Sequence, residues 1–162
     1  MRFLWISLAA LLIDQAAKWR ITETMVEGET VPVLGTLLRF TYIHNPGGVF
    51  GLSFGGRSLH LVLAVVALAA VCVMVLRMRS EGGLADVGLA LLLGGALGNL
   101  VDRVLHGEVI DFLDVGIGPY RWWIFNVADA CVTVGVGLLM VSYGFGRRDT
   151  AEADRGECAP GA

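Results

Sequence analysis

Charge is scarce in this chain. Lys, Arg, Asp and Glu make up 17% of its 162 residues, against 56% hydrophobic ones. A soluble globule of that size could not hide so much apolar surface, which points to a multi-spanning membrane protein. The formal net charge of −3 is too small to imply a nucleic-acid partner. Cys72, Cys131 and Cys158 are odd in number and widely spaced, which excludes a disulfide framework or a zinc site. His44, His60 and His106 are scattered without metal-ligand spacing. No Ser–His elbow is present, and no Cys stands beside a His. Gly47-Gly48 lacks the lysine and helix start of a phosphate-cradling loop. No metal or cofactor is expected.

What remains is four apolar runs, each near the ~20 residues that cross a bilayer. They cover about 3–19, 59–76, 84–101 and 123–145, and none contains proline. The first resembles a signal-peptide core, but it runs into Asp14 and Lys18 without a small-residue cleavage pattern and is read as a retained helix. The second is uniformly apolar after His60. The third carries Gly88, Gly94, Gly95 and Gly98, which let helix backbones approach closely. The expected fold is an all-α membrane protein of four transmembrane helices, one domain over 1–146. A polar, disordered tail is expected over 147–162. Arg2, Arg77, Arg79, Arg147 and Arg148 then share one side, which the positive-inside rule assigns to the cytoplasm with both termini. Lys18, Arg20, Arg39, Arg57, Arg103 and Arg121 fall on the other side, so the charge bias is uneven. Loops 23–57 and 102–122 face outward. Trp122 and Trp123 anchor the start of the fourth helix. The aromatic and β-branched stretch Leu37 to Ile43, with Val31 to Gly35 before it, predicts a small strand pair in the first outer loop. Asn45-Pro46-Gly47-Gly48 is a turn signal.

Polar residues gather toward the outer ends of these runs. Asp14 and Lys18 lie four apart on one helix face. Asn99, Asp102 and Arg103 close the third helix. Asp111, Asn126 and Asp129 follow. One aspartate in a helix is most simply an ion pair or a cap, whereas this many at one depth indicate a shared wet site. Two neighbouring carboxylates push their pKa values apart, so that one holds a proton while the other is ionised. That pairing activates water in a carboxylate-pair hydrolase. Asp129, placed one to two turns inside the fourth helix, is expected to be the more desolvated and to carry the raised pKa. Asp111 approaches from the outer loop. Asp102, Asp14 and Lys18 read as a structural polar knot. Asn126 either orients Asp129 or holds a substrate carbonyl. Asp114 reads as a loop surface residue, and Asp86 as a cap of the third helix.

Four blocks carry a family likeness. They are Asp14-Gln15-Ala16-Ala17-Lys18, Asn45-Pro46-Gly47-Gly48-Val49-Phe50-Gly51, Gly94 to Arg103 continuing through Gly107 and Val109 to Asp111-Phe112, and Phe125-Asn126-Val127-Ala128-Asp129-Ala130. With these blocks in order, the chain resembles the bacterial lipoprotein signal peptidases, or signal peptidase II. The resemblance implies an aspartic endopeptidase of the inner membrane with Asp111 and Asp129 as its catalytic pair. It implies cleavage of the signal peptide just before a diacylglyceryl-modified cysteine, and inhibition by the cyclic peptide globomycin. It also implies that Asn99, Arg103 and Asn126 help hold substrate while Asp14, Lys18 and Asp102 support the site. Asn45, Gly47 and Phe50 join the candidate site from the second block. Ala17 departs from the Ser or Thr usual in the family, and Gly48-Val49 from a small Ala pair.

The expected partners are thus a diacylated prolipoprotein, membrane lipid and globomycin, with the enzyme acting as a monomer. Lateral entry of substrate from the bilayer and closure of the Asn45–Gly51 loop over it are further expectations. A proton-coupled transporter is the first rival, but the second run offers no polar path across the membrane. A non-catalytic scaffold packed through glycines is the second. It predicts that Asp111→Asn is nearly silent.

Overall fold

A computed structural model describes residues 3–47, 56–77 and 83–157. Among these the chain forms α1 (Leu4–Thr24), β1 (Thr30–Leu34), β2 (Leu38–Asn45), α2 (Gly56–Arg77), α3 (Leu84–Leu105), β3 (Val109–Ile117), β4 (Tyr120–Arg121) and α4 (Val127–Glu157). Phe50, and the Gly48-Val49 departure beside it, lie outside the described residues.

Helix α3 is the centre of the helical layer and packs against α1, α2 and α4. Its glycines explain how. A Cβ on Gly94 would lie 2.6 Å from the Ser7 carbonyl of α1, and one on Gly88 would lie 2.8 Å from the Gly135 carbonyl of α4. Backbone meets backbone at both crossings, which only a missing side chain permits. The Ser7 hydroxyl seals the α1 crossing by donating to the Ala90 carbonyl at 2.8 Å. Leu89 and Leu92 of α3 close over Leu139 of α4. Helix α2 packs on α3, yet none of its described residues is buried.

Among the described residues, α2 and α3 are long and apolar enough to cross a membrane. Helix α1 has the length, but Asp14, Lys18, Arg20 and Glu23 interrupt its apolar character. The apolar part of α4, Val127–Tyr143, is shorter.

The four strands form one antiparallel sheet in the order β1-β2-β3-β4. This corrects the expected β element, because the second outer loop supplies half of the strands. The sheet sits on the end of α1, where Ile21, Tyr42, Ile110 and Phe112 form a buried cluster. Phe40 and Phe112 meet edge-to-face with centroids 5.9 Å apart, the geometry aromatic quadrupoles favour. Between β2 and β3 the register slips: Phe40 faces Leu113 but Ile43 faces Asp111. One extra residue on β2 makes a bulge, which re-aims the side chains beyond it.

Several helix boundaries differ from those expected. Helices α1 and α3 outrun their apolar stretches to Thr24 and Leu105: Thr22 and Thr24 bond back to the Trp19 and Arg20 carbonyls of α1, and in α3 the buried Asp102 is bonded to Lys18 and Gln15. Helix α4 starts at Val127, not near Trp123. Phe125 pairs instead with Leu113 of β3, its N–H donating to the Leu113 carbonyl at 3.1 Å. Trp122 and Trp123 therefore precede the helix. At its far end α4 runs to Glu157. Its Ala, Glu and Arg content favours helix.

Candidate active site

The site is assembled where α1, α3, the start of α4 and strand β3 converge. Asp111 is on β3 and 1% exposed. Its Oδ2 accepts a hydrogen bond from Asn45 Nδ2 at 2.8 Å, and its Oδ1 accepts one from Asn126 Nδ2 at 2.7 Å. The sheet register explains the first bond. Ile43 faces Asp111 and Asn45 faces Val109, so Asn45 is the diagonal neighbour of Asp111 on the same sheet face. Asn45 is held in turn by the Gly47 N–H, which donates to its Oδ1 at 3.0 Å. Gly47 needs its missing side chain: its φ is +109°, and a Cβ there would overlap the His60 ring.

Asn126 is the N-cap of α4. Its Oδ1 accepts the backbone N–H of Asp129 at 2.9 Å, the bond that satisfies an otherwise orphan amide of a helix first turn. The β3 pairing of Phe125 delivers this cap beside Asp111. Asp129 then stands in the first helical turn and is partly exposed. Its Oδ1 accepts from Asn99 Nδ2 at 2.7 Å. Asn99 and Asn126 are bonded to each other, Nδ2 of Asn126 donating to Oδ1 of Asn99 at 3.1 Å. Two carboxylates are thus linked through two amides, and every polar atom of the Asn126 side chain is used.

Behind this chain lies the polar knot. Lys18 is 2% exposed, and its Nζ lies 2.8 Å from Asp14 Oδ2 and 2.7 Å from Asp102 Oδ2. Its third bond, at 3.3 Å, goes to Asn99 Oδ1. Asp14, fully buried, accepts the Ala128 N–H of α4 at 2.8 Å. Asp102 accepts the Ile110 N–H at 3.2 Å, one residue before Asp111. The knot therefore fixes the start of α4 and the start of β3, the two elements that carry Asp129 and Asp111. Gln15 completes it, donating to Asp102 Oδ1 at 3.0 Å and to the Gly98 carbonyl at 3.2 Å. Gln15 carried no assigned role from sequence, although it stands inside the Asp14 block.

Arg103 donates from Nη1 to the Asn99 carbonyl at 3.2 Å. Its buried Nε has no hydrogen-bond partner among the described residues. The guanidinium lies within electrostatic reach of Asp129, Asp111 and Asp102.

The electrostatics single out the carboxyl on β3. Burial pushes the Asp111 carboxyl up to about 6. The Asn45 and Asn126 bonds pull it down, and the nearby Asp129 charge adds to the rise. The group that burial raises is Asp111. The reason is the α4 boundary, which places Asp129 at the helix entrance while β3 carries Asp111 into the interior.

Asp114 corrects an expectation. It is buried within the sheet, where Arg39 Nε donates to its Oδ2 at 3.0 Å and Arg121 Nε to its Oδ1 at 2.8 Å. Burial alone would raise its pKa, but the Arg121 and Thr41 bonds and the two arginine charges hold it below the ordinary value. Asp86 lies in the first turn of α3, where Gly83 is the N-cap.

An apolar cleft of about 850 Å³ opens beside Asp129. Leu37, Ile117, Tyr120 and Arg121 wall it on the sheet side, and Ala130 and Val134 wall it on the α4 side. Asp129 brings a carboxylate to a surface suited to an apolar chain.

The chain is similar to known proteins over most of its length. The family model described as signal peptidase (SPase) II matches residues 6–145. The chain is 40% identical to the lipoprotein signal peptidase of Geobacillus kaustophilus over 141 residues, 87% of this chain and 92% of that protein. It is 44% identical to that of Geobacter sulfurreducens over 137 residues, 83% and 86% of the two. A bacterial membrane enzyme solved by the in meso method at 2.3 Å resolution superposes with a TM-score of 0.81 at 32% identity, covering 93% of this chain and 90% of that one. With the matched region holding every helix end that builds the site, the chain belongs to the signal peptidase II family.

Proposed function

We propose that this chain is an aspartic endopeptidase that removes the signal peptide from diacylglyceryl-modified prolipoproteins, with Asp111 and Asp129 as its catalytic pair. The observation that supports it most is the Asp111–Asn126–Asn99–Asp129 chain of hydrogen bonds, which joins a buried carboxyl to one that lines an open apolar cleft. Asp111, whose carboxyl keeps its proton above the ordinary range, is the acid. Asp129 is the base. Asp129 takes a proton from water as the water oxygen bonds to the scissile carbonyl carbon. Asp111 gives its proton to the carbonyl oxygen. Collapse of the tetrahedral intermediate breaks the C–N bond: the proton gained by Asp129 passes to the leaving amine, and a gem-diol hydroxyl returns its proton to Asp111 as the carboxyl group forms. Arg103, with its unfilled Nε, holds a substrate carbonyl. Asn99 and Asn126 hold the dyad.

The reading extends to four membrane crossings, α1 and α4 joining α2 and α3, with both termini in the cytoplasm and the sheet on the outer face of the inner membrane. Substrate enters laterally from lipid, the enzyme works as a monomer, and globomycin competes at the same site. The test is cleavage of a diacylated precursor by purified wild type, Asp111→Asn and Asp129→Asn, each checked for its thermal transition. Folded variants without cleavage are expected. A folded variant that cleaves near the wild-type rate would remove that aspartate from the dyad.

A further inference from the structure

Asp114 is buried on β3, three residues beyond Asp111, and stands outside the hydrogen-bond chain of the dyad. Its partners do not hold it in the same way. Arg39, on β2, makes one contact through Nε and is 33% exposed. Arg121 makes several. Its Nε donates to Asp114 Oδ1 at 2.8 Å, its Nη2 to the Asp114 backbone carbonyl at 2.6 Å, and its Nη1 to the Thr36 carbonyl. One planar guanidinium therefore ties β3 and β4 to the β1–β2 turn, which needs the rigid fork of arginine.

The segments tied in this way are the wall of the cleft. Leu37 follows Thr36, Ile117 ends β3, and Tyr120 and Arg121 form β4. Across the cleft stand Asp129 and Val134 of α4. Arg39 is not among the described residues that wall it. Asp114 thus holds an arginine of the wall from behind, three residues along the strand from Asp111.

We infer that Asp114 is a positioning residue for substrate: through Arg121 it holds the sheet wall of the apolar cleft at the distance from α4 that the bound substrate requires. The inference rests on the reading of Asp111 and Asp129 as the dyad beside that cleft. It predicts loss of binding with the chemistry intact, because nothing in the Asp111–Asn126–Asn99–Asp129 chain passes through Asp114.

The experiment measures kcat and KM for a diacylated precursor peptide at fixed detergent concentration in wild type, Asp114→Asn, Arg121→Lys and Arg39→Lys, with a thermal transition for each. Asp114→Asn and Arg121→Lys should raise KM by about tenfold with kcat within about twofold of wild type. Arg39→Lys, touching the same carboxylate but not the wall, should leave both constants unchanged. The inference fails if Arg121→Lys binds as wild type does, or if kcat falls in place of a rise in KM. It fails equally if Arg39→Lys raises KM as much as Arg121→Lys. Loss of fold in both Asp114→Asn and Arg121→Lys would also overturn it, by making the pair a stability element. A failed dyad is read separately, as retained kcat in Asp111→Asn or Asp129→Asn.

Discussion

Asn126 touches Asp111 and Asp129 at once, through different atoms. Its Nδ2 donates to Asp111 Oδ1 at 2.7 Å while its Oδ1 accepts the Asp129 N–H at 2.9 Å. The residue that starts α4 is therefore also the spacer between the two carboxyls. Asn126→Ala removes both bonds at a fully buried position. The buried groups left without partners should cost about 1–3 kcal/mol of stability. Loss of the spacing should lower kcat by about a hundredfold, the scale set by small misplacements of reacting groups. Steady-state cleavage alongside a thermal transition checks both. A variant with unchanged kcat would show that the cap does not set the spacing.

Lys18 holds two buried aspartates from different helices, Asp14 at 2.8 Å and Asp102 at 2.7 Å. Lys18→Met keeps the volume and leaves both carboxylates without their cation. Breaking a buried ionic group from one side costs about 3–5 kcal/mol. For a chain of this length, that lowers the thermal midpoint on the order of 10 °C. Activity should fall with it, because Asp102 bonds the Ile110 N–H beside Asp111 and Asp14 bonds the Ala128 N–H beside Asp129. A midpoint within a few degrees of wild type would mean that the knot contributes little.

The parts of this site that were legible in sequence are those set by local pattern. Asp14 and Lys18 pair because four residues make about one helical turn. Gly94 and Gly98 mark close crossings because nothing else permits backbone contact, and they bring Asn99 and Asp102 against Lys18 of α1. The parts that were hidden depend on strand register. Val109 to Ile117 places aspartates at the third and sixth positions of a strand, which breaks the alternation by which strands are recognised. Asp114 looked like surface because its partners Arg39 and Arg121 reach it only after β2 and β4 pair with β3. The apolar stretch Trp123 to Phe125 reads as helix, yet Phe125 pairs with Leu113. Asn126 was the available signal: an N-cap residue with an acid three positions on marks a helix start. Reading it would have moved Asp129 to the helix entrance.

That raised pKa has a consequence for stability. Asp111 stands at about 6 in the fold, against an ordinary 3.8. A carboxyl raised in the fold binds its proton more tightly there than in the unfolded chain. Its contribution is complete below about pH 3.8 and is lost as pH rises through about 6. Two pKa units correspond to about 3 kcal/mol. Wild type should therefore lose stability between pH 4 and pH 7 relative to Asp111→Asn, which has no proton to exchange at that position. Thermal midpoints in detergent across that range measure it. Parallel pH curves for the two proteins would show that burial does not raise this carboxyl.

Gly98 and Gly137 make a matched pair of helical glycines with opposite surroundings. A Cβ on Gly98 would lie 2.6 Å from Asp14 Oδ2 and 3.2 Å from the Ala128 Cβ, while one on Gly137 meets nothing within 4 Å. Alanine favours a helix over glycine by about 1 kcal/mol at either position. At Gly137 that gain stands alone, so Gly137→Ala should leave cleavage unchanged and hold or raise the thermal midpoint. At Gly98 the added methyl must displace Asp14, which is bonded to Lys18 and to the Ala128 N–H. Overpacking of this kind costs about 1–3 kcal/mol, enough to outweigh the propensity gain. Gly98→Ala should lower the midpoint and also lower kcat, since the displaced carboxylate positions the first turn that carries Asp129. Equal midpoints and equal rates for the two variants would mean that the α1–α3–α4 crossing has slack that the distances deny.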